Sequence, residues 1–272
     1  MQANAMPAVS SHRSAPRRGI RIHPMFVAAT LAVAVATTGV AGAAVWRHQS
    51  ETRQTEIAQW QRLATSVADA RALDRLQQAA SAGETSAQAA LGEVLMVRTE
   101  VATRADGERW LRAAAEKGNV RAQFLLGKAA MLGGLASGRT DAPLAWQWLD
   151  AAARTGDVGA AYYLGLLYRG GYGREVDSAR AARWFQVAAD AGVPQAMFLL
   201  ANAYREGNGV IRDEARAVSW YEAAGERAHP ASLQALAMAY RNGELGLAQD
   251  EAQYQQHMAE AAHALKHPAL NP

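Results

Sequence analysis

Residues 162–196 read YYLGLLYRGGYGREVDSARAARWFQVAADAGVPQA. Leu164, Leu167 and Tyr168 recur at steps of three and four, the period of a helix and not of a strand. Gly170-Gly171-Tyr172-Gly173 interrupts that pattern, and Asp177 precedes a second apolar run through Trp184 and Ala188-Ala189. Gly192 then suits the left-handed residue that stops a helix. The stretch predicts a helical hairpin. Residues 198–231, FLLANAYREGNGVIRDEARAVSWYEAAGERAHPA, repeat the same order of residue types. Working outward, Trp110, Trp148, Trp184 and Trp220 are 38, 36 and 36 residues apart, and a fixed period in that range signals stacked repeats. Gly118, Gly156 and Gly192, with Ala228, follow each tryptophan by eight residues. Small pairs recur at Ala114-Ala115, Ala152-Ala153, Ala188-Ala189 and Ala224-Gly225. Leu91-Gly92, Leu126-Gly127, Leu164-Gly165, Leu200-Ala201 and Leu236-Ala237 mark five first helices.

Asp141, Asp177 and Asp213 each stand seven residues before a tryptophan, with Asp250 in the register of His257 and Thr103 in that of Trp110. Aspartate accepts hydrogen bonds from free amides at a helix start and suits the positive end of its dipole, so capping accounts for these residues without a catalytic role. Alanine-rich helices bury little surface singly, and stacking makes their core continuous. On this reading the tryptophans are core residues, and Trp184→Ala costs about 3–5 kcal/mol.

The 272 residues carry 28 Lys+Arg against 25 Asp+Glu and no cysteine, which excludes disulfides, thiolate metal sites and cysteine nucleophiles. Arg13, Arg17, Arg18 and Arg21 lie before residue 25, where there is no acid, and removing them leaves 24 bases against 25 acids. A body so near neutrality has no bulk footprint for a polyanion, so nucleic acid is not an expected partner. From Met25 to Trp46, MFVAATLAVAVATTGVAGAAVW is 22 residues without a charge, long enough to cross a bilayer. The arginine excess before it keeps the N-terminus cytoplasmic and turns the rest outward. A cleavable signal peptide is the rival reading, with Ala41-Gly42-Ala43 as its small-residue site. Residues 51–66, ETRQTEIAQWQRLATS, read as a mostly polar helical stalk.

The two quoted units resemble Sel-one-like repeats, relatives of the tetratricopeptide repeat. That family's pattern runs Ala, Leu-Gly, Tyr, a Gly-x-Gly-Val loop, Asp, Ala, Trp, Ala-Ala and Gly, and here it extends over roughly residues 70–265. Arg75 stands where the first half-repeat would have tryptophan, residues 93–105 lack the Tyr and Gly-x-Gly loop, and His257 replaces the last tryptophan. Terminal repeats depart from pattern because they cap the stack. The resemblance implies an all-α, alpha-alpha superhelix that works as a protein-holding adaptor, with no fixed catalytic residues and no cofactor. The expected organisation is a basic cytoplasmic tail (1–24), a transmembrane anchor (25–46), a stalk (47–69), the repeat solenoid (70–266) and a short tail (267–272).

Arg169, Arg205 and Arg241 follow Tyr168, Tyr204 and Tyr240 at one place in successive repeats, so stacking lines them up as a ladder. Two explanations stand open: a cation favours a helix C-terminus, or the guanidinium forks bind an acidic or C-terminal segment of a partner. Glu260, His263 and His267, with His257 a turn earlier, share a helix face. Zinc needs a fixed tetrahedral frame, and Pro268 ends the helix beside His267, so a metal site is not expected. The Gly170–Gly173 string follows a helix and lacks Gly-Lys-Ser/Thr, so it is no phosphate loop. Without a Gly-x-Ser-x-Gly elbow or a supported triad, no enzyme is expected. With the resemblance, whose bacterial members often work at the envelope, the uncharged run implies a scaffold anchored in a bacterial inner membrane, its repeats in the periplasm and its partner another envelope protein. A secreted ligand-binding form released at Ala43 and an envelope enzyme or glycan binder are the alternatives.

Overall fold

A computed structural model describes residues 48–266. The expected anchor at 25–46, the basic tail before it, and the tail at 267–272 with His267 lie outside the described residues. The chain divides into two compact units, residues 1–53 and 54–272. Of the first, the described residues 48–53 are helical. Among the described residues there are helices and no strands. They run α1 (48–66), α2 (Ala70–Ser81), α3 (Thr85–Met96), α4 (Val101–Glu116), α5 (Val120–Leu132), α6 (Ala142–Arg154), α7 (Val158–Gly170), α8 (Ser178–Asp190), α9 (Pro194–Glu206), α10 (Glu214–Gly225), α11 (Pro230–Asn242) and α12 (Glu251–Lys266).

From α3 onward the helices pair as hairpins, α3 with α4, α5 with α6, α7 with α8, α9 with α10 and α11 with α12. First helices also touch their counterparts in the next repeat, α3 against α5 and α5 against α7. The five predicted first helices are therefore α3, α5, α7, α9 and α11.

Helix ends follow the capping chemistry read from the sequence. Asp141, Asp177 and Asp213 accept hydrogen bonds from the amides of Leu144, Arg180 and Arg216, and Asp250 accepts from Ala252 and Gln253. Thr103 does not cap: α4 begins earlier, at Val101, which puts Thr103 inside the helix. Four further starts are capped by side chains the sequence reading did not single out, Asp69, Asn119, Asp157 and His229 at α2, α5, α7 and α11. The turns back to the first helices place Gly118, Gly156 and Gly192 at φ of +83°, +94° and +95°, with Ala228 left-handed at +54°.

Two rows of side chains form the spine. Leu91, Leu126, Leu164, Leu200 and Leu236 come from the first helices; Leu111, Leu149, Phe185 and Tyr221 come from the second, and all are buried. Each member of the latter row immediately follows a repeat tryptophan. The expectation that the tryptophans fill the core is corrected here: Trp148 is buried, whereas Trp110, Trp184 and Trp220 are half-buried and pack against the core from its margin. A step of one residue turns a helix by about 100°, so the neighbour of each indole points inward while the indole lies across the edge of the seam.

Residues 54–66, part of the expected stalk, pack against the repeats. Ile57 and Ala64 of α1 are buried in one cluster with Leu76, Leu91 and Val94, with Trp60 packed against it. Arg75, in the place of a repeat tryptophan, lies 5.8 Å from the centre of the Trp60 ring. Residues 54–66 thus extend the solenoid by one more helix, their apolar face narrow enough to read as polar in sequence. Among the described residues no helix is long and apolar enough to cross a membrane.

Candidate partner-binding groove

Successive first helices leave a groove of about 610 Å³ whose lining comes from α7, α8, α9, α11 and the loop after α11. Phe185, Phe198, Ala203, Ala235 and Met238 supply apolar surface, and Met238 is 43% exposed. Phe198 is held in place by rings on either side, 5.9 Å from Tyr221 and 5.1 Å from His229 between centroids.

Polar groups punctuate this apolar wall. The Tyr221 hydroxyl donates to Asn202 Oδ1 at 2.6 Å. That bond occupies the amide oxygen and leaves the amide N–H groups of Asn202, a groove residue, as donors. Burial raises the Tyr221 pKa, which keeps the hydroxyl protonated and donating. Gln234 is exposed and adds a second carboxamide. Such groups suit the carbonyls of an extended chain.

The arginine ladder is only partly assembled. Arg169 and Arg205 line this one groove. Arg169 lies 5.9 Å from the Phe185 ring centre, and Arg205 donates to Glu206 at 2.7 Å, a bond that raises the Arg205 pKa. Arg241 turns instead toward α12, 5.1 Å over the Tyr254 ring and 3.5 Å from its hydroxyl. It does not line the groove. All three occupy the last turn of a helix, where a cation also suits the dipole. Glu206 and Glu244 line the same groove and offset the two arginines. Sequence reading missed Phe198, Asn202 and Met238. Their signal was an apolar or amide residue on the first-helix face away from the Leu-Gly pair.

On the last helix, His257 stacks on Tyr240 with centroids 5.7 Å apart and faces Glu260 Oε2 at 3.3 Å. Among the described residues no three His, Cys, Asp or Glu side chains gather as a metal site.

These features define an all-helical hairpin solenoid with a mixed apolar and polar groove, the class of helical-repeat binding proteins. Sel1 repeats match residues 103–119, 120–157, 158–193, 194–229 and 230–262, more than half of the chain, and the protein belongs to the Sel1 repeat family. Among solved structures it is similar to c5321, described as a protective antigen present in uropathogenic Escherichia coli strains displaying an SLR fold. The identity is 32% and the TM-score 0.64, over 71% of this chain and 41% of that one. It is also similar to a Sel1 repeat protein from Oxalobacter formigenes, with 26% identity and a TM-score of 0.60 over 70% of this chain and 75% of that one. An immunity protein from Pseudomonas aeruginosa, PA5088, shares the fold at 18% identity and a TM-score of 0.50, over 79% of this chain and 84% of that one. The chain thus spans less than half the length of c5321. No curated protein matches it. Sel1 repeat proteins generally mediate protein–protein interaction.

Proposed function

We propose that this protein is a non-catalytic scaffold that holds another envelope protein in the groove between α7 and α11, displayed on the periplasmic side of a bacterial inner membrane by residues 25–46. One observation carries the binding reading: the groove joins an apolar wall at Phe198 and Met238 to the donors of Asn202, Gln234, Arg169 and Arg205. Apolar surface supplies attraction, and donors at fixed places set the register of a bound chain. The uncharged run Met25–Trp46 and the arginines before it support the anchor and its orientation. Tethering both partners to one membrane raises their effective concentration, so modest contacts suffice.

The test is in-cell photo-crosslinking of the full chain with the reactive group at Gln234, processed separately from membrane and soluble fractions. The expected result is one dominant envelope protein in the membrane fraction, lost when Arg169 and Arg205 are changed together to Glu. Recovery from the soluble fraction alone would favour release at Ala43. An unchanged crosslink in the double variant would remove the two arginines from the site.

A further inference from the structure

A second groove, of about 710 Å³, lies at the other face of the last two repeats. The second helices α10 and α12 form its walls and Leu233 and Leu236 of α11 its floor. His257 occupies the tryptophan register here, and an imidazole fills less of the space beside α10 than an indole would. The floor is apolar and the walls are acidic: Glu222 on α10 and Glu226, which follows its last residue, stand one turn apart, facing Glu260 on α12. No lysine or arginine lines it.

Some glutamates of the chain pair with arginine, as in Glu93 with Arg121, Glu108 with Arg112 and Glu214 with Arg212. The groove between α7 and α11 likewise balances two arginines with two glutamates. Among the described residues Glu260 meets His257 and Gln256. Glu222 and Glu226 have neither ion pair nor side-chain hydrogen bond among the described residues. Both are exposed. Like charges held near one another raise the local potential and favour an incoming cation, while half-buried Ala228 and exposed Ala259 offer apolar surface to a partner side chain.

We propose that the α10–α12 groove docks a segment of a partner protein in which an apolar residue is flanked by lysine or arginine. The apolar side chain seats against Ala228 and Ala259, and the flanking cations pair with Glu222 and Glu226 on one wall and Glu260 on the other. Charge fixes the choice of segment, because an acidic one would meet three carboxylates with no lysine or arginine among them, only His257 and His263. This site is separate from the groove that Arg169 and Arg205 line, so the protein can hold two segments at once.

Fluorescence anisotropy on the detergent-solubilised full chain tests the proposal, using labelled Lys-Arg-Leu-Leu-Arg-Lys against its charge-reversed counterpart Glu-Asp-Leu-Leu-Asp-Glu. The basic peptide should bind at least tenfold more tightly and weaken with added salt. Combining Glu222→Gln, Glu226→Gln and Glu260→Gln should cost at least tenfold in affinity with helical content unchanged. Glu116→Gln with Glu175→Gln, exposed and in neither groove, should leave binding within twofold. Equal loss in both variants would reduce the effect to general charge attraction and overturn the proposal. So would unchanged binding in the triple variant. Binding that emerges only after deletion of residues 267–272 would assign the groove to the chain's own tail. Self-association that the triple variant abolishes would assign it to a second copy. Either result also overturns the proposal.

Discussion

A Cβ placed on Gly165 would stand 2.6 Å from Cδ1 of Phe185. The contact recurs along the stack: Gly127 meets Leu149 at 2.6 Å and Gly92 meets Leu111 at 2.7 Å. The Leu-Gly pair of α3, α5 and α7 thus has a mechanical meaning. Leucine fills the core, and glycine gives up its side chain so that the residue after the tryptophan can sit against bare backbone.

Gly165→Ala should therefore destabilise the protein despite alanine's better helix propensity. The propensity gain is about 1 kcal/mol and forced overpacking costs about 1–3 kcal/mol. Net loss in a urea melt is expected. Combining it with Phe185→Val should cost less than the sum of the two single changes, as expected for residues in contact.

Phe185 and Trp184 should differ in the opposite order to their sizes. Phe185 is 2% exposed, and Phe185→Ala should cost about 3–5 kcal/mol. Trp184 is half-buried, so Trp184→Ala should cost less. Melts showing the tryptophan variant to be the weaker of the two would contradict the inward placement of Phe185.

Stability should fall on mild acidification through His229. Its Nδ1 accepts from the Ser232 amide at the start of α11 and lies 3.0 Å from the Ser232 hydroxyl, and burial lowers its pKa below the usual 6.5. The folded state thus favours the neutral ring, and the unfolded chain binds the proton more readily. The stabilisation is complete above about pH 6.5 and is lost as pH falls from there through the lower folded-state value. Protonation also removes the cap acceptor and sets a cation at the positive end of a helix. His229→Asn keeps a capping group that does not titrate, and should flatten the stability profile between about pH 7 and pH 5.

Ala228 occupies a left-handed position, φ +54°, that glycine fills in four earlier turns, at Gly83, Gly118, Gly156 and Gly192. An L side chain there costs roughly 1–2 kcal/mol, and glycine's extra chain entropy returns part of that. Ala228→Gly should raise the melting temperature by a few degrees, and Gly192→Ala should lower it.

Much of the fold was legible because it rests on local chemistry repeated in register. Asp177 and Asp213 could be placed as caps since a carboxylate and the amide three residues on meet within one turn, whatever lies beyond. Left-handed Gly156 and Gly192 are likewise properties of a single turn. The cap by His229 escaped notice because histidine rarely serves there and its role needed Ser232 and Phe198 beside it. The arginine ladder was drawn from period alone. Arg169 and Arg205 do share a groove, but Arg241 is drawn to Tyr254, a residue of the atypical last hairpin.

By itself the amino-acid sequence determined the helical hairpin, its 36-residue period, the caps and turns, and the family, because each depends on residues close along the chain. Tertiary structure alone decided which neighbour of each tryptophan reaches the core, that residues 54–66 join the stack, and where the two grooves open. Those outcomes depend on the rotation of one helix against the next. A turn of about 100° per residue carries a side chain from core to rim, and only packing against the facing helix selects which residue lies inward.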